Sequence, residues 1–253
     1  MTDIAIATRD LTRMFGNFTA VDSITFDVRV GEVFGFLGAN GAGKTTALRM
    51  LTGLLAPSSG TASVAGHDVV RETEAVKRQI GYMSQRFSLY DDLTVRENAR
   101  LYGGLYDLRP KEIDERLREM LSRLALERAE SAIVRTLPLG WKQKLAFSVA
   151  LLHRPRVLFL DEPTSGVDPI TRRQFWEMIY ETAHAGTTVL VTTHYMDEAE
   201  YCDRISIMVA GRIAVMGAPA ALKRDAGVPS IDELFVRLVR PEAAGVTHPA
   251  AAS

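Results

Sequence analysis

The stretch Gly38-Ala39-Asn40-Gly41-Ala42-Gly43-Lys44-Thr45 fits the pattern G-x-x-x-x-G-K-[ST]. A phosphate chain is held best by several backbone N–H groups converging on one point, with a helix N-terminus behind them. Gly38, Gly41 and Gly43 let the backbone curl inward without Cβ clashes. Lys44 then reaches the outer phosphates of a nucleoside triphosphate, and the Thr45 hydroxyl is a ligand for Mg²⁺. The flanks agree with this reading. Glu32-Val33-Phe34-Gly35-Phe36-Leu37 is apolar and strand-like, and residues 45–51 read as helix, with Leu48, Leu51 and Leu55 near helical spacing. Strand, glycine loop and helix is the order that the pattern requires.

The rest of the composition narrows the options. A chain of 253 residues suits one large domain, or a core with a smaller subdomain. Hydrophobic residues make up 47% and charged residues 24%, as in soluble globular proteins. A net charge of −1 gives no long-range attraction to nucleic acid or anionic lipid, so membrane contact is expected to go through a protein partner. No apolar run approaches the ~18 residues of a spanning helix, and Met1-Thr2-Asp3-Ile4 opens no signal peptide. The single cysteine, Cys202, fits a reducing compartment and is expected to be a buried, inert thiol.

Ile24, Phe26, Val28 and Val30 alternate with Thr25, Asp27 and Arg29, and with Ile4 and Ile6 they predict an antiparallel layer. Pro57-Ser58-Ser59-Gly60 closes the first helical region, and short apolar segments follow at 61–64 and 79–83. A helical stretch is expected over 95–126. Its apolar stripe is Ile113, Leu117, Met120, Leu121 and Leu124, and Asp114/Arg118 and Glu119/Arg123 pair at i,i+4 on a solvated face. Val157-Leu158-Phe159-Leu160 and Thr188-Val189-Leu190-Val191-Thr192 read as parallel strands covered on both faces, with a helix over 171–184 between them. Residues 205–209 and 213–215 flank Ala210-Gly211-Arg212 as a hairpin, and the alanine-rich tail after Pro241 is expected to be disordered. No internal repeat is present.

Asp161 and Glu162 end the first of these two apolar strands. Downstream of a glycine loop, the first acid at such a position holds Mg²⁺, here through water, and the second polarises the attacking water. His194 follows the second strand within reach of a γ-phosphate, although a lone histidine there is also an ordinary structural residue. Gln85 closes the run Gly81-Tyr82-Met83-Ser84 and is placed to contact Mg²⁺ or the water; alone it carries no signal.

Taken in order, residues 38–45, Gln85, Asp161-Glu162-Pro163-Thr164-Ser165-Gly166-Val167-Asp168 and His194 resemble the nucleotide-binding subunit of an ATP-binding cassette (ABC) transporter, over residues 4–240. Residues 31–38 and 229–235 resemble the drug-exporter branch, whose permeases are separate chains. The resemblance implies an α/β fold: a P-loop NTPase core with a mainly parallel sheet, an N-terminal antiparallel β layer and an inserted α-helical subdomain. It divides the chain into a core (1–85 and 151–220), a helical subdomain (86–150) and a C-terminal extension (221–253). It assigns Gly38, Ala39, Asn40, Gly41, Ala42, Gly43, Lys44, Thr45 and Thr46 to the nucleotide phosphates and Thr45, Gln85 and, via water, Asp161 to the metal. Gln85 couples the γ-phosphate to the helical subdomain, Glu162 is the general base, His194 the switch histidine, and Lys44 the phosphate-binding lysine. Phe15 stands where the family stacks an aromatic ring on adenine, with a core phenylalanine as the alternative. Asp168 and Gly140 act in trans, on the nucleotide of a second nucleotide-binding subunit, identical or not. The implied ligands are ATP and Mg²⁺. The implied partners are an integral-membrane permease and the second subunit, with no nucleic acid, at the cytoplasmic face of the cell membrane.

One segment departs from the family. The second phosphate-binding element normally reads L-S-G-G-Q, and here the stretch is Leu137-Pro138-Leu139-Gly140-Trp141. Pro138 has neither hydroxyl nor N–H, and Leu139 carries a side chain where glycine permits close approach. Either this is a weak clamp, as in a heterodimer with one degenerate site, or a helix beginning near Gly140 still offers free N–H groups and its positive dipole end. The intact Gln85, Asp161, Glu162 and His194 favour the second option. A GTPase is disfavoured because the chain has no N-K-x-D motif; a translation or repair ATPase is disfavoured by the single cassette, with no heptad run. A regulatory subunit that hydrolyses weakly remains the alternative.

Overall fold

The computed structural model describes residues 3–85 and 89–239. Strands β1 (Ile4–Phe15) and β2 (Phe18–Arg29) form an antiparallel hairpin, and β3 (Val33–Gly38) runs into the glycine loop and helix α1 (Lys44–Leu51). Next come β4 (Ser59–Val64), β5 (His67–Asp68), α2 (Thr73–Gln79) and β6 (Ile80–Met83). Among the described residues three α-helices precede the next strand: α3 (Val95–Leu105), α4 (Pro110–Arg123) and α5 (Leu139–Ala150). The chain continues through β7 (Val157–Asp161), α6 (Pro169–His184), β8 (Thr188–Thr193), β9 (Arg204–Val209) and β10 (Arg212–Gly217). The described residues close with α7 (Pro219–Ala226) and α8 (Ile231–Val239).

The strands form two sheets. The antiparallel sheet has the order β2-β1-β4-β5, and the larger sheet the order β10-β9-β3-β8-β7-β6, parallel except for the β9–β10 hairpin. Strands β3, β7 and β8 are buried along their whole length, as expected where both sheet faces are covered. The period of two then divides each strand between two cores. Val157 and Phe159 join Phe34, Phe36 and Leu190 under the antiparallel layer and α1. Leu158 and Leu160 join Val189, Val191, Phe147 and Phe175 on the side of α5 and α6. Cys202 is buried there too, and burial pushes its thiol pKa well up, as its inert reading requires.

Several boundaries differ from the sequence expectation. The stretch 95–126 is two helices: α3 ends at Leu105, Asp107 takes a left-handed φ of 58°, and α4 starts at Pro110. Proline fixes its own φ and disfavours helix at Arg109, so the apolar stripe resumes only after a break. Leu124 and Leu126 lie beyond the end of α4. Asp114 pairs with Arg100 of α3 at 3.0 Å rather than with Arg118, whereas Glu119–Arg123 forms at 2.8 Å. Leu55 lies outside α1, and α6 starts at Pro169, capped by Asp168. The tail expected to be disordered, after Pro241, lies outside the described residues.

Candidate nucleotide-binding site

The parallel strands end together, and their C-terminal ends carry the site. From β3 the chain turns through the glycine loop, where Gly43 has φ +105°. A Cβ on Gly43 would lie 2.4 Å from the Ala20 carbonyl oxygen, so glycine is required both by conformation and by space. Ala39, Asn40 and Gly41 are exposed at the loop's crest, and Ala42 is buried beneath it. The first amides of α1 have no intrahelical acceptor, so they remain free for an anion. Lys44 is folded inward, 4% exposed; its Nζ donates to the Gly38 carbonyl at 2.8 Å and to that of Ala39 at 3.2 Å. Burial lowers its pKa, and the nearby Glu162 carboxylate opposes that shift.

Asp161 ends β7 in register with Thr192 of β8. Its Oδ1 accepts from the Thr192 hydroxyl at 2.7 Å and from the Thr45 hydroxyl at 3.2 Å. Burial raises its pKa, and these two hydroxyls pull it back down. Glu162 adopts φ 50°, an uncommon conformation for a residue with a Cβ. Its amide is held by the Thr192 carbonyl at 3.1 Å and the Thr192 hydroxyl at 3.0 Å. This turn aims the Glu162 side chain across the strand ends. Oε1 lies 3.4 Å from Lys44 Nζ, while Oε2 lies 2.9 Å from His194 Nδ1 and accepts from Gln85 Nε2 at 3.1 Å.

The structure therefore brings Lys44, Thr45, Gln85, Asp161, Glu162 and His194 into one cluster. The Thr45–Asp161 pair supplies hard oxygen donors, which suit Mg²⁺. Among the described residues no group of three or more His, Cys, Asp or Glu is placed to hold a metal. That donor set fits a cation sharing its shell with phosphate oxygens and water, not an all-protein cage. Phe15 lies outside the core: it is 47% exposed at the tip of the β1–β2 hairpin, with the Arg13 guanidinium 4.6 Å from its ring centroid. Thr46 is partly buried in the first turn of α1.

Gly140 and Asp168 stand elsewhere, on the adjoining N-termini of α5 and α6. Asp168 caps α6 through the amides of Ile170 and Thr171, each at 3.0 Å. A Cβ on Gly140 would lie 3.0 Å from Thr171 Cγ2. Pro138 is the N-cap of α5 with no side-chain cap; its carbonyl accepts from the amides of Trp141 and Lys142 at 3.0 Å. Leu139 and Trp141 are 51% and 43% exposed beside them. Sequence reasoning missed Thr192, whose hydroxyl joins Asp161 at the end of β7 to the Glu162 amide that follows it. Its signal was a threonine that follows the apolar middle of β8, readable only once β8 is known to neighbour β7.

A family model described as "ABC transporter" matches residues 21–165. The chain is 45% identical over 242 residues to the probable multidrug ABC transporter ATP-binding protein YbhF of Escherichia coli K12, covering 94% of this chain and 42% of that one. It thus spans about two fifths of that relative's length. It is 40% identical over 233 residues to the daunorubicin resistance ATP-binding protein DrrA3 of Streptomyces coeruleorubidus, covering 92% and 74% of the two chains. A solved ATP-binding subunit of an ABC transporter superposes with a TM-score of 0.84 at 32% identity, over 92% of this chain and 99% of that one. With its glycine loop, its paired acids and these relatives, the chain belongs to the ABC transporter family, as an ATP-binding cassette of that fold.

Proposed function

We propose that the chain binds ATP with Mg²⁺ and hydrolyses it to power export of drugs or other small amphipathic compounds through a separate membrane permease. The observation that carries this reading is the Glu162 carboxylate, gathered with Lys44, Gln85 and His194 at the end of β7, beside the Thr45–Asp161 pair. Amides of residues 39–46 cradle the phosphates, and Phe15 offers an exposed ring for the adenine. Glu162 takes the proton of a water attacking the γ-phosphorus in line, while Lys44 and His194 stabilise the charge that develops. Gln85 orients that water and links the site to the helices that follow. Mg²⁺, held by Thr45 and through water by Asp161, would neutralise charge on the phosphate oxygens. A second subunit, identical or not, closes over the nucleotide with the residues that occupy the places of Gly140 and Asp168. Helices α3–α5 dock on the permease at the cytoplasmic face of the membrane. No helix among the described residues is long and apolar enough to cross a membrane, which suits this arrangement. The drug-resistance names of the relatives support the cargo class.

Glu162→Gln tests the reading. It keeps the side chain's shape and removes the base, so ATP binding persists while turnover falls about 10²–10⁴-fold. Turnover close to wild type would remove Glu162 from that role. A second reading, a weakly hydrolysing or regulatory half of a heterodimer, is favoured by the Pro138 cap and the exposed Leu139. In that case hydrolysis appears only when a second, different cassette is supplied.

A further inference from the structure

A path of contacts also leaves His194 through the residue that follows it. Its ring centroid lies 4.1 Å from that of Tyr195, tilted by 36°. The guanidinium carbon of Arg172 lies 4.3 Å from the Tyr195 ring centroid. Arg172 belongs to the first turn of α6, and its amide donates to the Asp168 carbonyl at 2.9 Å. Its Nε lies 3.6 Å from Oε1 of Glu198, which is 0% exposed, and its Nη1 lies 3.6 Å from Oδ2 of the exposed Asp197. The same Glu198 oxygen accepts from the Thr164 hydroxyl at 2.6 Å. The Arg172–Glu198 contact is an ion pair without a hydrogen bond: among the described residues Arg172 Nε and the second Glu198 oxygen are buried with no hydrogen-bond partner, and charge attraction alone keeps the guanidinium beside Glu198. On the far side, Thr171 donates to Asp168 Oδ2 at 2.6 Å and packs against Gly140. One continuous set of contacts thus runs from His194 to Asp168 and Gly140.

We propose that Arg172 is a positioning residue. Set against the Tyr195 ring, with the Glu198 charge nearby, it ties His194 to the N-termini of α6 and α5. A shift of His194 at the chain's own γ-phosphate is thereby passed to Asp168 and Gly140, which face the nucleotide of the neighbouring subunit. The inference rests on the hydrolysis reading above. An arginine is needed because its flat, delocalised cation packs on a ring and meets a carboxylate at the same time, whereas lysine offers only a point charge.

The test is ATP turnover by the full chain across a range of ATP concentrations. Arg172→Lys and Tyr195→Leu lower kcat about 3- to 10-fold, the range expected from losing a partly desolvated cation–π contact. They move the Hill coefficient toward one and leave KM for ATP within about twofold, because the glycine loop is untouched. Tyr195→Phe keeps the ring and recovers kcat and cooperativity. Wild-type kcat and cooperativity in both Arg172→Lys and Tyr195→Leu would overturn the inference, as would a wild-type Hill coefficient of one. A fall in kcat matched by a rise in KM and a lower melting temperature would overturn it too, by marking a structural role. Absence of turnover in the wild-type chain, or Glu162→Gln turnover equal to wild type, would instead sink the hydrolysis reading, and the inference with it.

Discussion

Thr192→Val isolates the contact that joins Asp161, the last residue of β7, to Glu162. The Thr192 hydroxyl donates to Asp161 at 2.7 Å and accepts from the Glu162 amide at 3.0 Å, at 0% exposure. Valine fills the same volume and removes the hydroxyl. A hydrogen bond to a charged group contributes about 1.5–3 kcal/mol, and a buried carboxylate stripped of it bears a desolvation cost. The Glu162 amide keeps the Thr192 carbonyl at 3.1 Å, so the second loss is small. The expected destabilisation is about 2–3 kcal/mol, or about 4–12 °C in Tm for a chain of this size. Asp161 also loses one of the two hydroxyls that hold its pKa down, so the acid is protonated more readily. Half-saturation by Mg²⁺ in the ATP-binding assay therefore moves to higher concentration, and more so as pH falls. Thr192→Ser retains the hydroxyl and loses one buried methyl, at about 1 kcal/mol. Urea unfolding of the three proteins decides the matter. A valine variant within about 0.5 kcal/mol of wild type, or a serine variant as damaged as valine, would refute the argument.

Gly43→Ala should abolish ATP binding and lower stability by more than about 2 kcal/mol, because its Cβ would meet the Ala20 carbonyl at 2.4 Å with φ at +105°; isothermal titration and urea melts read both effects, and normal affinity would show that the loop can shift. Pro138→Ser with Leu139→Gly should tighten ATP-driven dimerisation of the Glu162→Gln chain if the α5 N-terminus is a weakened clamp. Unchanged dimer affinity by ultracentrifugation would favour contacts through the free helix amides. His153 hydrogen-bonds the Ile80 carbonyl at 2.9 Å and stacks on Tyr106 at 3.5 Å, and burial pushes its pKa down to about 4 from 6.5. Between those values the unfolded chain binds the proton more tightly, so this residue's contribution is complete above pH ~6.5 and is lost as pH falls toward ~4. His153→Gln should flatten that part of the stability–pH curve, and an unchanged slope between pH 7.5 and 5 would contradict the assignment.

Much of the site was legible because its chemistry is local. The glycine loop occupies consecutive residues, and Asp161 and Glu162 are neighbours at the end of an apolar run. Backbone curvature and strand termination follow from such short stretches, so sequence alone determined the glycine loop between β3 and α1, the neighbouring acids at the end of an apolar strand, and the family. It misjudged what depends on continuity. The stripe from Ile113 onward keeps helical spacing, and only Pro110 marked the break between α3 and α4. It also left Phe15 between core and surface, a choice set by the hairpin's position at the edge of the fold. The tertiary structure alone decided the order β3-β8-β7, which sets Thr192 beside Asp161, and the packing that stacks Arg172 on Tyr195. Strand order and side-chain contacts across it depend on how distant segments bury their apolar faces together, and no periodicity within one segment encodes which segment lies next to it.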